Sequence, residues 1–295
     1  MPLKWLKSPW CRVCEQGLHQ GGACPRPGKI MKFACGIEYD GTGYHGFQRQ
    51  SETQGLTIQG TLEAAIKRIS GEMSVVYGAG RTDAGVHASG QVIHFSTSAS
   101  MTPRQWLAAL NAVLPESVAV RWNCEVSDSF HARYSALSRS YRYTIWNDRA
   151  RKPLIARYSY HRSRALGVDL MDEACRFLLG RKDFGAFGRS PDATNPLKPG
   201  PHSCVRTILK AVCQRQDALI YCDFTADAFL TGMVRRMVGT LLLVGQKRLS
   251  IAEFAAIVQR AEKTHPGSAA PSHGLCLVGV TYPDGLLQTN GENGQ

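Results

Sequence analysis

Residues 78–88 read Gly-Ala-Gly-Arg-Thr-Asp-Ala-Gly-Val-His-Ala. Glycines at 78, 80 and 85 mark a backbone that bends tightly or lies close to something. Arg81 and Asp83 stand two positions apart, so on an extended strand they share a face, and on a turn both point into the concavity. Guanidinium neighbours favour the charged form of a carboxylate. A permanent carboxylate in a cleft can act as a nucleophile or an electrostatic stabiliser, but not as a proton donor. Spacing alone equally describes a plain hairpin turn, with Asp83 bonded to its own backbone and Arg81 solvated.

Outward from this loop, Lys32–Tyr39 reads as a strand closed by the turn Asp40-Gly41. Thr57–Ser70 has helical period, with Ile58, Leu62, Ala65, Ile66 and Ile69 on one face and Thr57 as N-cap. Val75–Tyr77 and Gln91–Phe95 are expected as short strands flanking the glycine-rich loop, and Pro103–Leu114 as a helix ended by Pro115. In the second half Ser140–Trp146 alternates with period two, and Asp169–Leu179 is expected as a helix stopped by Gly180. Gly188–Ser203, rich in Pro, Gly, Ser and Asn, is expected as a long loop that could close over a substrate. Val205–Gln214 and Ala218–Thr225 form a hairpin pattern, Phe229–Val244 a buried helix, Ile251–Ala261 a further helix and Leu275–Tyr282 a last strand. Strands mixed with two helices in each half predict a duplicated α+β architecture, with a cleft between the halves. The boundaries fall at 31–138 and 139–285, between a leader at 1–30 and a polar tail at 286–295.

An arginine within the apolar run 229–244 is costly unless paired, which points Arg235 toward a buried acid. Alternatively Arg235 and Arg236 form an exposed stripe, although helical neighbours lie about 100° apart and one can face in while the other faces out.

The chain has 295 residues, 43% hydrophobic and 20% charged, the balance of a globular protein of one or two domains. A formal charge of +12 makes polyanions natural partners, because neutralised phosphates release counterions. Ten cysteines are present. Cys35, Cys124, Cys175, Cys204, Cys213, Cys222 and Cys276 are scattered singly, as in the reduced thiols of a cytosolic protein. No apolar run is long enough to span a membrane, and the first residues carry no signal-peptide core. The leader holds Lys4, Lys7, Arg12, Arg26 and Lys29 against Glu15 without periodicity, and is expected to be disordered, with Met31 as an alternative start. A metal knuckle of Cys11, Cys14, His19 and Cys24 is the weaker reading, because one CxxC lacks a second pair at zinc spacing.

The segment GRTDAGVHA at 80–88 resembles the signature of the TruA family of tRNA pseudouridine synthases. The likeness extends to YDGTGYHGFQ at 39–48, Asn111-x-x-Leu114-Pro115, FHAR at 130–133, Arg139-x-Tyr141-x-Tyr143 and Asp183-Phe184. It continues through VRTI at 205–208, Phe229-x-x-x-Met233-Val234-Arg235-x-x-Val238-Gly239 and Ala270-Pro271-x-x-Gly274-Leu275, spanning about Lys32 to Tyr282. The resemblance implies a pseudouridine synthase-like fold with an antiparallel-rich sheet and a cofactor-free isomerisation of uridine. Asp83 is then the catalytic nucleophile, Tyr141 stacks on uracil or acts as general base, and Arg235 pairs with Asp83. Arg81 assists base flipping, while Leu275, Val86 and His87 contact the substrate alongside Tyr141. It further implies tRNA as partner, uridines 38, 39 and 40 of the anticodon stem–loop as targets, and a homodimer whose two subunits share one tRNA.

Each residue also has a plainer reading. Tyr141 fits an ordinary strand tyrosine, and Leu275 a core leucine of the last strand. His87 and His94 with Asp83 match no usual metal-ligand spacing, so both are expected as hydrogen-bonded loop and strand residues. Arg49, Arg133, Arg139, Arg142, Arg151, Lys152, Arg181, Lys182, Arg189, Lys198 and Arg206 are available for a basic RNA path. Two other functions fit the composition: a non-catalytic RNA-binding protein on the same fold, and a carboxylate hydrolase. The second needs two cooperating acids, and no second acid stands near Asp83 in sequence.

Overall fold

The strand β1 (Met31–Tyr39) is buried continuously from Phe33 to Ile37, the pattern of a central strand covered on both faces. This computed structural model describes residues 29–49, 55–188, 203–260 and 267–287. The expected leader and tail (apart from residues 29, 30, 286 and 287), the Cys11–Cys24 knuckle and most of the loop at 188–203 lie outside the described residues.

Helix α1 (Ile58–Ser70) starts where the Thr57 hydroxyl accepts from the Gly60 N–H at 3.2 Å, and ends at Gly71. Its apolar stripe, Ile58, Leu62, Ala65 and Ile66, faces the core. The strand expected at Val75–Tyr77 is shorter and later, β2 (Tyr77–Gly78), while β3 (His87–Thr97) begins four residues before Gln91. Helix α2 (Pro103–Val113) carries a capping box between Thr102 and Gln105. It drives Trp106 against Phe95, ring centroids 5.0 Å apart at 73°. Strand β4 (Val118–Val126), not foreseen, lies on the outer edge beside β1.

The second half opens with β5 (Ser138–Trp146) and the two-residue β6 (Tyr160–His161). Helix α3 (Val168–Cys175) is shorter than expected, because residues 176–178 tighten into a 3₁₀ turn. Strands β7 (Gly180–Asp183), β8 (Val205–Gln216) and β9 (Leu219–Ala226) follow, the last two as the foreseen hairpin. Helix α4 (Met233–Gly245) begins four residues later than Phe229, because Gly232 at φ +70° breaks the helical path and Phe229–Thr231 approach it as loop. Helix α5 (Ile251–Arg260) and β10 (Leu275–Thr281) complete the described elements.

Among the described residues, all the strands form one ten-stranded sheet along the path β4-β1-β3-β10-β5-β9-β8-β7, with β2 added on β3 and β6 on β5. Pairing is antiparallel except for β10 with β3 and β6 with β5. This is the mixed, antiparallel-rich α+β architecture that was expected. Strand β10 arrives last in sequence yet lies between the halves. Cys276 and Leu277 pair with His87 and Ala88 on one side, and Leu275 and Leu277 with Tyr143 and Tyr141 on the other. Strand β10 thereby brings the glycine-rich loop and β5 side by side. Among the described residues, no helix is long and apolar enough to cross a membrane.

Candidate active site

The loop between β2 and β3 is held at almost every residue. Gly80 is clasped by buried Gln91, whose Nε2 donates to its carbonyl at 2.7 Å and whose Oε1 accepts from its N–H at 3.2 Å. The Thr82 and Tyr39 hydroxyls are hydrogen-bonded at 2.8 Å, and the Thr82 carbonyl accepts from the Phe47 N–H at 3.0 Å. The Val86 N–H donates to the Asp83 carbonyl at 3.1 Å, closing a turn with Gly85 at φ +74° in the position where a type II turn requires glycine. Asp83 therefore heads a turn fixed on both flanks, with its side chain 31% exposed.

Arg235 reaches it from the first turn of α4. Its Nη1 donates to Asp83 Oδ2 at 3.1 Å and its Nε to the Ala270 carbonyl at 2.8 Å, while the Ala270 N–H returns to the Arg235 carbonyl at 2.9 Å. The guanidinium is thus aimed from the segment before β10 and is itself only 24% exposed. Arg236, one position on, turns to the carbonyls of Phe187 and Thr231. Of the two readings of this arginine pair, the structure has Arg235 facing in.

Around the ion pair lies a cleft of about 460 Å³, a size that suits a small-molecule or nucleotide moiety. The first half lines it with Phe47, Gln48, the 79–84 loop and Val86; the second half contributes Arg139, Tyr141, residues 228–235 and Leu275. Tyr141 is buried, its ring meeting Phe229 edge-on at 5.1 Å and 85°. Its hydroxyl approaches Gly80 so closely that a Cβ there would stand 3.4 Å away. Burial, then the neighbouring Tyr39 and Asp83, push the Tyr141 phenol above its ordinary range, so at neutral pH it presents an intact O–H. Val86 and Leu275 are buried apolar walls, and exposed Arg81 stands at the rim. Asp83 is the one carboxylate among the described lining residues.

The structure therefore gathers Arg81, Asp83, Val86, Tyr141, Arg235 and Leu275 around one cavity, although Asp83 and Arg235 are 152 positions apart. His87 is not among the lining residues. Its Nδ1 lies 3.1 Å from both the Gly41 N–H and Asp40 Oδ1, and its Nε2 lies 3.1 Å from the Arg157 carbonyl. It braces the loop after β1 instead. His94 likewise serves its strand, accepting the Ala132 N–H at 3.1 Å.

The basic residues divide. Arg139 is buried, and Arg142, on the opposite face of β5, pairs with Asp223 through two hydrogen bonds of 2.7 and 2.9 Å. Arg49 pairs with buried Glu63 at 3.2 Å. Arg133 and Arg206 line the cleft, whereas Arg189 and Lys198 lie outside the described residues. Phe229 is a wall that residue reasoning missed; an aromatic just ahead of the Gly232 break was its only local signal.

A fixed ion pair and a buried tyrosine share one cleft at the seam of a continuous antiparallel-rich α+β sheet, the arrangement of an enzyme site with a single carboxylate. A family model described as "tRNA pseudouridine synthase" matches residues 36–135 and 174–283. The chain is 39% identical over 254 residues to tRNA pseudouridine synthase A of Shewanella sp. (strain MR-7), covering 86% of this chain and 94% of the relative. It is 41% identical over 254 residues to the protein of the same name from Shewanella baltica (strain OS185), and 40% identical over 253 residues to that of Tolumonas auensis; each match covers 86% of this chain and 94% of the relative. A chain from a "Crystal Structure of a Cbf5-Nop10-Gar1 Complex" superposes at TM-score 0.29 with 12% identity, over 71% of this chain and 45% of that one, too loosely to bear on the site. This chain belongs to the tRNA pseudouridine synthase family, a family of isomerases.

Proposed function

We propose that the enzyme converts uridine to pseudouridine in the anticodon stem–loop of tRNA, at positions 38, 39 and 40, with Asp83 as nucleophile. The observation that carries this reading is the Asp83–Arg235 pair at 3.1 Å inside the cleft. It supplies one oriented carboxylate, where a hydrolase would need two. The reaction is an isomerisation and balances without a second reactant. The N1–C1′ bond breaks with its electron pair going to N1. A carboxylate oxygen bonded to C1′, or to C6 of the base, carries the intermediate. The uracil turns, C5 bonds to C1′, the C5 proton is lost and N1 takes one up.

In this reading Arg235 engages Oδ2 and Oδ1 attacks. Tyr141 covers the uracil ring and offers its O–H; burial favours that role over proton abstraction in the resting enzyme. Val86 and Leu275 sandwich the base and keep water from the intermediate. Arg81, at the rim, holds the nucleotide out of its stack, an extrusion that costs roughly a few kcal/mol. His87 supports the loop rather than touching substrate. A homodimer sharing one tRNA completes the proposal and rests on the family.

Asp83→Asn tests it. On unmodified tRNA, pseudouridine formation should fall at least roughly a thousandfold while tRNA binding persists. Wild-type turnover by the variant would remove Asp83 from the chemistry, and product mapped outside the anticodon arm would remove the stem–loop.

A further inference from the structure

Two lengths of chain reach the rim of the cleft side by side. Along residues 73–77 burial alternates, with Ser74 and Val76 buried and Met73, Val75 and Tyr77 exposed. Residues 131–134 approach from the loop after β4. Ala79, just past Tyr77, and Arg133, just before Tyr134, both line the cleft. A single guanidinium, that of Arg139, donates to the carbonyls of both Ala79 and Arg133, so the two segments are fixed relative to the cavity.

Their side chains form a file of rings. Tyr77 stacks on buried His94 at 5.0 Å and 15°, and lies 5.4 Å from His131. His131 lies 4.3 Å from Tyr134. The N–H groups of Arg133 and Tyr134 point at His131 Nδ1 at 3.1 and 3.3 Å, which sets that ring as a neutral acceptor. The file is thus held from behind yet open in front: Tyr134 is 72% exposed and Tyr77 47%. The Arg133 guanidinium stands 5.7 Å from the Tyr134 ring. Single exposed aromatics are ordinary, but braced rings with a cation beside them are what nucleobases stack on. Extruding a uridine also leaves its neighbour without a stacking partner on one side.

We propose that Tyr77, His131 and Tyr134, with Arg133 alongside, form a stacking platform for the unpaired base next to the uridine held in the cleft. This rests on the RNA substrate proposed above, but not on Asp83 as nucleophile.

The test uses a stem–loop RNA with 2-aminopurine at each neighbour of the target uridine in turn. Wild type should quench the fluorescence at one of them on binding. Tyr134→Ala and Tyr77→Ala should lose the quenching and raise KM about 5- to 100-fold, with kcat at saturating RNA largely kept. Tyr134→Trp should restore both, which a merely structural role for the ring would not predict. RNA that binds without any fluorescence change, or alanine variants that match wild type, would overturn the platform. So would variants that alter self-association and leave RNA affinity intact, since the surface would then belong to a second copy. Quenching by a wild-type enzyme that makes no pseudouridine would sink the proposed function while upholding the platform.

Discussion

Arg139 donates to four backbone carbonyls, those of Ala79, Arg133, Ala136 and Asp227. It is only 8% exposed, and burial pushes its guanidinium down from the ordinary arginine range. Taking such a group out of water is expensive unless its donors are used, and here neutral acceptors on four separate residues use them. Its position reflects strand alternation. Arg139 shares the inner face of β5 with Tyr141, while Arg142 falls on the outer face and finds Asp223. Arg139→Met would strand these carbonyls and should cost about 3 kcal/mol or more of unfolding free energy, read from urea denaturation. Arg139→Lys, with fewer donors and no fork, should recover only part of that. Equal midpoints for all three proteins would mean that the clamp contributes nothing. Sequence alone put this residue on the RNA path, because charge is legible in a sequence and burial is not. The Asp83–Arg235 pairing was similarly invisible to spacing. An arginine in an apolar run asked for an acid, but only the family likeness said which one.

At the scale of elements, the β2–β3 pair and the loop after β4 meet at His94. Its Nδ1 accepts the Ala132 N–H at 3.1 Å, so the ring is neutral, and protonating that nitrogen would break the bond. Burial, then His131 and Lys32, bring its pKa down from 6.5 to about 4. As pH falls, the unfolded chain therefore takes up this proton first. The contribution is complete above about pH 6.5 and is lost progressively toward about pH 4, to a total of roughly 3 kcal/mol. Urea midpoints at about pH 7.5 and pH 5 should fall apart for wild type and draw together in His94→Gln. Parallel slopes in the two proteins would refute the assignment. These same elements show what the pattern reveals. Helix α1 was legible because an apolar stripe coincides with Thr57 at one end and Gly71 at the other. Strand β4 was not. It is an edge strand whose pairing with β1 slips between Gly36 and Ile37, where Trp122 packs over Gly36, so its alternation is interrupted midway. The start of α4 was misjudged because hydrophobicity runs on through Phe229 and Leu230 while the backbone turns at Gly232.

For the whole molecule, the decisive feature is that β10 closes the sheet between the two halves. The cleft is then a seam, with the carboxylate from one half and the guanidinium and tyrosine from the other, so neither half holds the site alone. The net charge of +12 acts over a longer range than this seam and does a different job. Two arginines that line the cleft are already committed, Arg139 to carbonyls and Arg235 to Asp83, so they organise the site and leave phosphate binding to the remaining basic residues. RNA affinity should then depend on salt through phosphate contacts, and the chemical step should not, because the ion pair is partly buried and weakly screened. Engaging about 6–10 phosphates would weaken binding by about 10³–10⁵ between 50 and 200 mM salt. The dissociation constant for tRNA should therefore rise steeply over that range, while the single-turnover rate at saturating tRNA stays level. A flat binding profile would mean that the positive charge is not what holds the RNA. A rate that fell in step with affinity would mean that the Asp83–Arg235 pair is open to bulk ions, contrary to its enclosure between the loop and α4.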